Sequence, residues 1–123
     1  MLTPDSPGEM ELMSPTQLNA LLFGAIKISR DGTILSYNVY ESKLSGRLAS
    51  EVIGRNFFTE VAPCTAVQEF YGTFREMIGR RAVHEEFDFV FALSPPVKVH
   101  ITLLYELNAG VGWILVKEVA AGW

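Results

Sequence analysis

The sequence is short of the features that mark several large functional classes. It has a single cysteine, Cys64, in 123 residues. No internal disulfide can form, so it lacks the bridged framework that stabilises small secreted domains. Ten Lys and Arg residues face fourteen Asp and Glu, a formal charge of −4, and Arg80-Arg81 is the only basic doublet. Without a basic stripe there is no electrostatic grip on nucleic acid. The longest apolar stretches, such as Leu18 to Ile28, are interrupted and too short to span a bilayer. The first residues carry prolines and acids instead of a basic and then apolar signal. The expectation is a soluble, cytoplasmic protein, monomeric or weakly dimeric, that binds neither nucleic acid nor membrane.

What is present is an ordinary globular composition, 49% hydrophobic and 20% charged. The length suits one domain with one core and room for one ligand cavity. Residues 1–13, rich in Pro, Gly, Ser and acid, read as a flexible arm; residues 14–119 form the folded domain and 120–123 a tail. Ser14-Pro15-Thr16-Gln17 is a helix start with a capping box, leading a short helix to about Leu21. Gly24 to Ser29 alternates as a half-buried strand, Asp31-Gly32 is a hairpin signal, and Thr33 to Asn38 is the returning strand. From Val39 to Arg55 the chain is helical in short pieces. Thr65 to Ile78 reads as one long helix, with Phe70, Phe74, Met77 and Ile78 on one face and Gly79 at its end. Three more strand runs follow: His84 to Leu93, Val97 to Leu107 and Trp113 to Val119. Two strands, helices, then three strands predict an α+β domain, a five-stranded antiparallel sheet with helices covering one face and a cavity between them.

The segment from Val52 to Thr65, Val-Ile-Gly-Arg-Asn-Phe-Phe-Thr-Glu-Val-Ala-Pro-Cys-Thr, resembles the chromophore-attachment region of the photoactive yellow protein family. Ser36-Tyr37-Asn38, Glu41, Ser45-Gly46-Arg47, Glu69-Phe70-Tyr71-Gly72, Leu22 to Ile26 and the closing Trp113 to Val119 match the same family in order. The resemblance implies a PAS fold and a blue-light photoreceptor, not an enzyme. It further implies 4-hydroxycinnamic acid (p-coumaric acid) bound as a thioester to Cys64. By position, Tyr37 and Glu41 are similar to the pair that hydrogen-bonds the phenolate oxygen, Ser45 to the hydroxyl that supports Tyr37, and Arg47 to the arginine that shields the chromophore. Phe57, Phe58, Val61, Pro63, Phe70 and Phe91 would form the wall. The loop after Phe91 is shorter than in the archetypal member and lacks its methionine, and the N-terminal arm does not match.

The chemistry is consistent with these residue types. A thiol just before a helix gains from the helix amides, which favour nearby negative charge. A phenol with a pKa of about 10 must shift down by about 3 units, roughly 4 kcal/mol, to be a phenolate at pH 7. Burial alone pushes the other way. Two charge-assisted hydrogen bonds of roughly 1.5–3 kcal/mol each offset this. Tyr37 and a protonated Glu41, four residues apart on one side of a helical turn, can donate them, with Tyr40 as a substitute donor. Isomerisation of the chromophore double bond would break those bonds, move the Glu41 proton and leave a buried carboxylate that loosens the arm for an unknown downstream signalling protein. Three other readings stand beside this one: a PAS domain binding another small ligand, or haem, without photochemistry; a cysteine-nucleophile enzyme, which needs a histidine base; and an interaction module. His84 and His100 lie on alternating strand patterns, as structural histidines do.

Overall fold

Five apolar-rich runs become the five strands of one antiparallel sheet. The computed structural model describes residues 6–93 and 95–119; the 120–123 tail, the first five residues of the arm and Ser94 of the turn before the fourth strand lie outside them. In chain order the strands are β1 (Gly24–Ser29), β2 (Ile34–Tyr37), β3 (His84–Phe91), β4 (Val97–Glu106) and β5 (Val111–Glu118). Their spatial order is β2-β1-β5-β4-β3, so the last strand of the chain lies at the centre. The helices are α1 (Pro7–Glu11), α2 (Pro15–Asn19), α3 (Val39–Ser45), α4 (Ala49–Val52) and α5 (Thr73–Gly79).

Alternation sorts the strand side chains between two faces. Ile26, Ile28, Val99, Ile101, Leu103, Ile114 and Val116 point to one face, where they meet Phe57, Phe58, Phe70, Phe74 and Met77. Ala25, Leu104, Trp113 and Leu115 point to the other, against Met10, Leu18, Leu21 and Phe23. The segments between β2 and β3 thus cover one face as expected, and the N-terminal helices cover part of the opposite one.

Pro7–Glu11, read from sequence as part of a flexible arm, is instead a docked helix. Ser6 accepts a hydrogen bond from the Glu9 amide and Pro7 fills the first turn, the same start signal as Ser14-Pro15. Met10 is fully buried. Glu11 Oε2 accepts from Trp113 Nε1 at 3.1 Å and pairs with Lys27 Nζ at 2.9 Å.

The single helix expected from Thr65 to Ile78 is broken. Pro63–Thr65 is a 3₁₀ turn closed by Thr65 Oγ1 donating to the Ala62 carbonyl at 2.7 Å. Val67 is extended, Gln68–Gly72 is a π turn, and the α-helix starts only at Thr73. Gly72 makes room for this: a Cβ there would overlap the Gln68 side chain, which folds across to donate to Glu76 Oε1 at 3.0 Å. Beyond the helix, the left-handed residue is Arg81 (φ 57°), not Gly79.

Asn38 caps α3 and ties it to the sheet. Its Oδ1 accepts from the Glu41 and Ala25 amides, both at 3.0 Å. Its Nδ2 donates to the Leu18 carbonyl at 2.9 Å and the Phe23 carbonyl at 3.0 Å. Asn38 is 2% exposed, so Asn38→Ala strands buried backbone groups that water cannot reach. We expect a loss of at least about 2 kcal/mol, read as a lower urea midpoint at unchanged slope.

Candidate functional site

Where β2 ends, Tyr37 points inward, Asn38 turns the chain, and Glu41 falls in the first turn of α3. Tyr37 and Glu41 therefore meet across a strand-to-helix junction; the spacing of four expected on one helical turn is correct, but its geometric reason differs. The two residues line a cavity of about 300 Å³ together with Ser45, Arg47, Phe57, Val61, Pro63, Cys64 and Phe91. Leu44, Ala62, Ala92 and Leu93 complete the lining. These four carried no recognisable chemical signal in the sequence, because small and apolar wall residues look like any core.

Two expected wall residues sit elsewhere. Phe58 and Phe70 are fully buried behind Phe57, with ring centroids 5.2 and 5.8 Å from it. They set the position of Phe57 without lining the cavity, and Tyr40 is absent from the lining as well. The segment that carries the wall is pinned through Asn56, whose Oδ1 accepts from the Phe58 and Thr59 amides and whose Nδ2 donates to the Asp31 carbonyl at 2.9 Å.

Cys64, a free and half-buried thiol, lies within the Pro63–Thr65 turn. No long helix starts beside it, so the helix-dipole support expected from sequence is missing. The same cavity holds polar groups. Tyr37 Oη donates to Ser45 Oγ at 2.8 Å, and Ser45 Oγ also accepts from the Arg47 amide at 3.2 Å. Glu41 is 3% exposed, and its Oε1 has no hydrogen-bond partner. Burial pushes its carboxyl up to about 8, opposed by weaker hydrogen bonding with Tyr37. Burial, and then the nearby Glu41 charge, raises the Tyr37 phenol; Ser45 and Arg47 act against it. The cavity thus keeps a neutral acid and a neutral phenol side by side at neutral pH.

The histidines are on the other side of the sheet. His100 Nε2 and Nδ1 lie 2.8 Å from Glu86 Oε1 and Asp88 Oδ1, and His84 Nε2 lies 2.6 Å from Glu86 Oε2. Among the described residues no His, Cys, Asp and Glu cluster has the arrangement of a metal site, and no helix is long and apolar enough to cross a membrane.

No family model matches the sequence. The photoactive yellow protein of Rhodothalassium salexigens is 40% identical over 116 residues, which span 94% of this chain and 93% of that protein. The chain belongs to the photoactive yellow protein family. Photoreceptors of this family are non-enzymatic, which removes the cysteine-nucleophile reading. The photoactive yellow protein domain of the sensor histidine kinase Ppr from Rhodospirillum centenum is 41% identical, with a TM-score of 0.84 over 89% of this chain and 97% of that one. The PAS domain of an HTR-like protein from Haloarcula marismortui is 16% identical, with a TM-score of 0.65 over 91% of this chain and 99% of that domain. The fold is the PAS fold expected from the sequence resemblance.

The raised Glu41 carboxyl has a consequence for stability. Between the ordinary carboxyl value near 4.5 and about 8, the folded chain without a bound group holds one more proton at this site than the unfolded chain. Stability therefore falls as pH rises across that window, by up to about 1.4 kcal/mol per unit, and levels off above it. Urea titrations at pH 5, 6, 7 and 8 should show this slope, and Glu41→Gln should remove most of it.

Proposed function

We propose that the cavity holds a p-coumaroyl group in thioester linkage to Cys64 and that the protein is a blue-light photoreceptor working through it. The observation that carries this reading is one cavity that joins the only cysteine of the chain to a buried carboxyl with an unpartnered oxygen. About 300 Å³ is at the small end of ligand pockets and suits one flat phenolic group. When bound, that group supplies absorption of blue light and a double bond whose isomerisation changes its shape.

The residues of the chain do the rest. Tyr37 Oη, which donates to Ser45 Oγ in the structure, turns its proton toward the phenolate and accepts from Ser45 in return. Glu41 donates its own proton to the same oxygen. Together these two bonds supply roughly the 4 kcal/mol needed to hold a phenolate at neutral pH. Phe57, Val61 and Phe91 exclude water, and Arg47 closes the exposed rim. If isomerisation broke these contacts, Glu41 would pass its proton to the phenolate oxygen and become a carboxylate whose Oε1 faces no donor. An unpaired buried charge costs several kcal/mol against a typical domain stability of about 5–15 kcal/mol. Strain at Glu41 passes to Asn38, which caps its helix and holds the Leu18 and Phe23 carbonyls. The N-terminal helices, tied to that residue through the Leu18 carbonyl, loosen first. The reading carries with it a cytoplasmic location and a separate signalling protein that reads the loosened surface.

The test is an absorption spectrum after treatment with activated p-coumaric acid, in darkness and under blue light. We expect a blue band that bleaches and recovers, absent in Cys64→Ser. Glu41→Gln should move the band maximum, and Glu41→Ala should raise the phenol titration midpoint by about 1–2 pH units. Acylation of Cys64 without a blue band, or a spectrum and bleaching untouched by Glu41→Gln, would overturn the proposal.

A further inference from the structure

Gly24 opens β1 in ordinary extended backbone. It is not among the glycines with positive φ, so its conformation does not require glycine, and within a strand glycine is unfavourable. Space explains it. A Cβ at Gly24 would overlap Glu41 Oε1 outright, and would stand 3.1 Å from Glu41 Cδ and 3.3 Å from Glu41 Cβ. The same Oε1 is the buried oxygen that lacks a partner.

We propose that Gly24 is a positioning residue for the proton of Glu41: its missing side chain leaves the notch in which Oε1 rests, and so assigns the acid proton to the other carboxyl oxygen. This rests on reading Glu41 as the proton donor of the cavity. An unpaired buried carbonyl oxygen is better tolerated than an unpaired buried hydroxyl donor. The carbonyl half of the acid therefore takes the notch, and the hydroxyl half is left for the cavity. Ionisation is opposed at the same place, because the backbone around Gly24 offers Oε1 no donor. Around the cavity Glu41 meets Tyr37, Ser45 and Cys64, and the one cationic side chain of the lining is Arg47. From β1, Lys27 points to the opposite face and is paired with Glu11. α2 brings no titratable side chain, and its Asn19 accepts from the Val39 amide.

The test is Gly24→Ala, studied without any chromophore. The clash falls mainly on the mobile end of Glu41, so the chain should fold with the carboxyl expelled into the cavity. With ¹³C-labelled glutamate, the Glu41 carboxyl midpoint, about 8 in the parent, should fall by at least about 1 unit, a tenfold change in acidity. An unchanged midpoint in the folded variant overturns the proposal. Should Gly24→Ala fold poorly, the double variant Gly24→Ala with Glu41→Asp decides. The shorter side chain no longer reaches the notch, so Glu41→Asp should raise the folding equilibrium constant at least about fivefold more in the Gly24→Ala background than in the parent. Additive effects, or a double variant that also fails to fold, mean that Gly24 serves only the strand and overturn the proposal. Neither readout uses light or a chromophore, so their failure is distinct from the absence of a blue band, which overturns the photoreceptor reading alone.

Discussion

The side-chain amide of Asn38 is the junction on which the site depends. Two backbone amides and two backbone carbonyls, from β1, α3, the end of α2 and the segment before β1, converge on it. Each would otherwise be a buried polar group without water, a loss of about 1–3 kcal/mol apiece. Because one residue satisfies all four, the N-terminal helices, the sheet and α3 share one registration. That registration turns the first turn of α3 inward and carries Glu41 into the core. A glutamate three positions past an N-cap normally reaches back to the cap or into solvent; here the cap bond is made by its amide and its carboxyl is left to the cavity.

A protonatable group held in this way stores a choice between two states. While neutral, Glu41 is tolerated with one oxygen idle; once ionised, that oxygen has no donor to meet it. The difference is comparable to a large part of the stability of a domain this small. Such a group needs only a change in what its proton contacts to alter the balance of the whole fold. The cavity walls stay put because Phe57 is backed by Phe58 and Phe70 and because Asn56 fastens the wall segment to the β1–β2 turn.

The strands were legible because short apolar-rich runs between turn residues, some of them alternating, have one simple explanation, an antiparallel sheet. Ser14-Pro15-Thr16-Gln17 was legible for the same reason: its capping box is a local matter, and both bonds are present. Cys64, Tyr37 and Glu41 stood out through their resemblance to a known motif and not through their own chemistry; any one of them alone reads as ordinary core or surface. The break between Cys64 and Thr73 was not legible, since the apolar spacing of Phe70, Phe74 and Met77 is helical on either side of a π turn. The decisive contact, Gln68 folded over Gly72, is a side-chain event that periodicity does not encode. Helix α1 is hidden by a composition that suggests disorder, although Ser6-Pro7 with Glu9 repeats the start signal of Ser14-Pro15. Gly24 carried no signal at all, because the atom that requires it belongs to a residue on another element.

The contact between Glu11 and Trp113 makes one carboxylate answerable to both an indole and an ammonium. An indole is also the brightest intrinsic fluorophore a protein owns, and its emission responds to a charged acceptor at its nitrogen. Trp113 belongs to the central strand and cannot leave, whereas Glu11 is carried by a five-residue helix. Departure of that helix would bring water to the indole nitrogen in place of a carboxylate. The molecule is thus built with its own optical gauge, on the side of the sheet away from the cavity, for whether its N-terminal helix is seated.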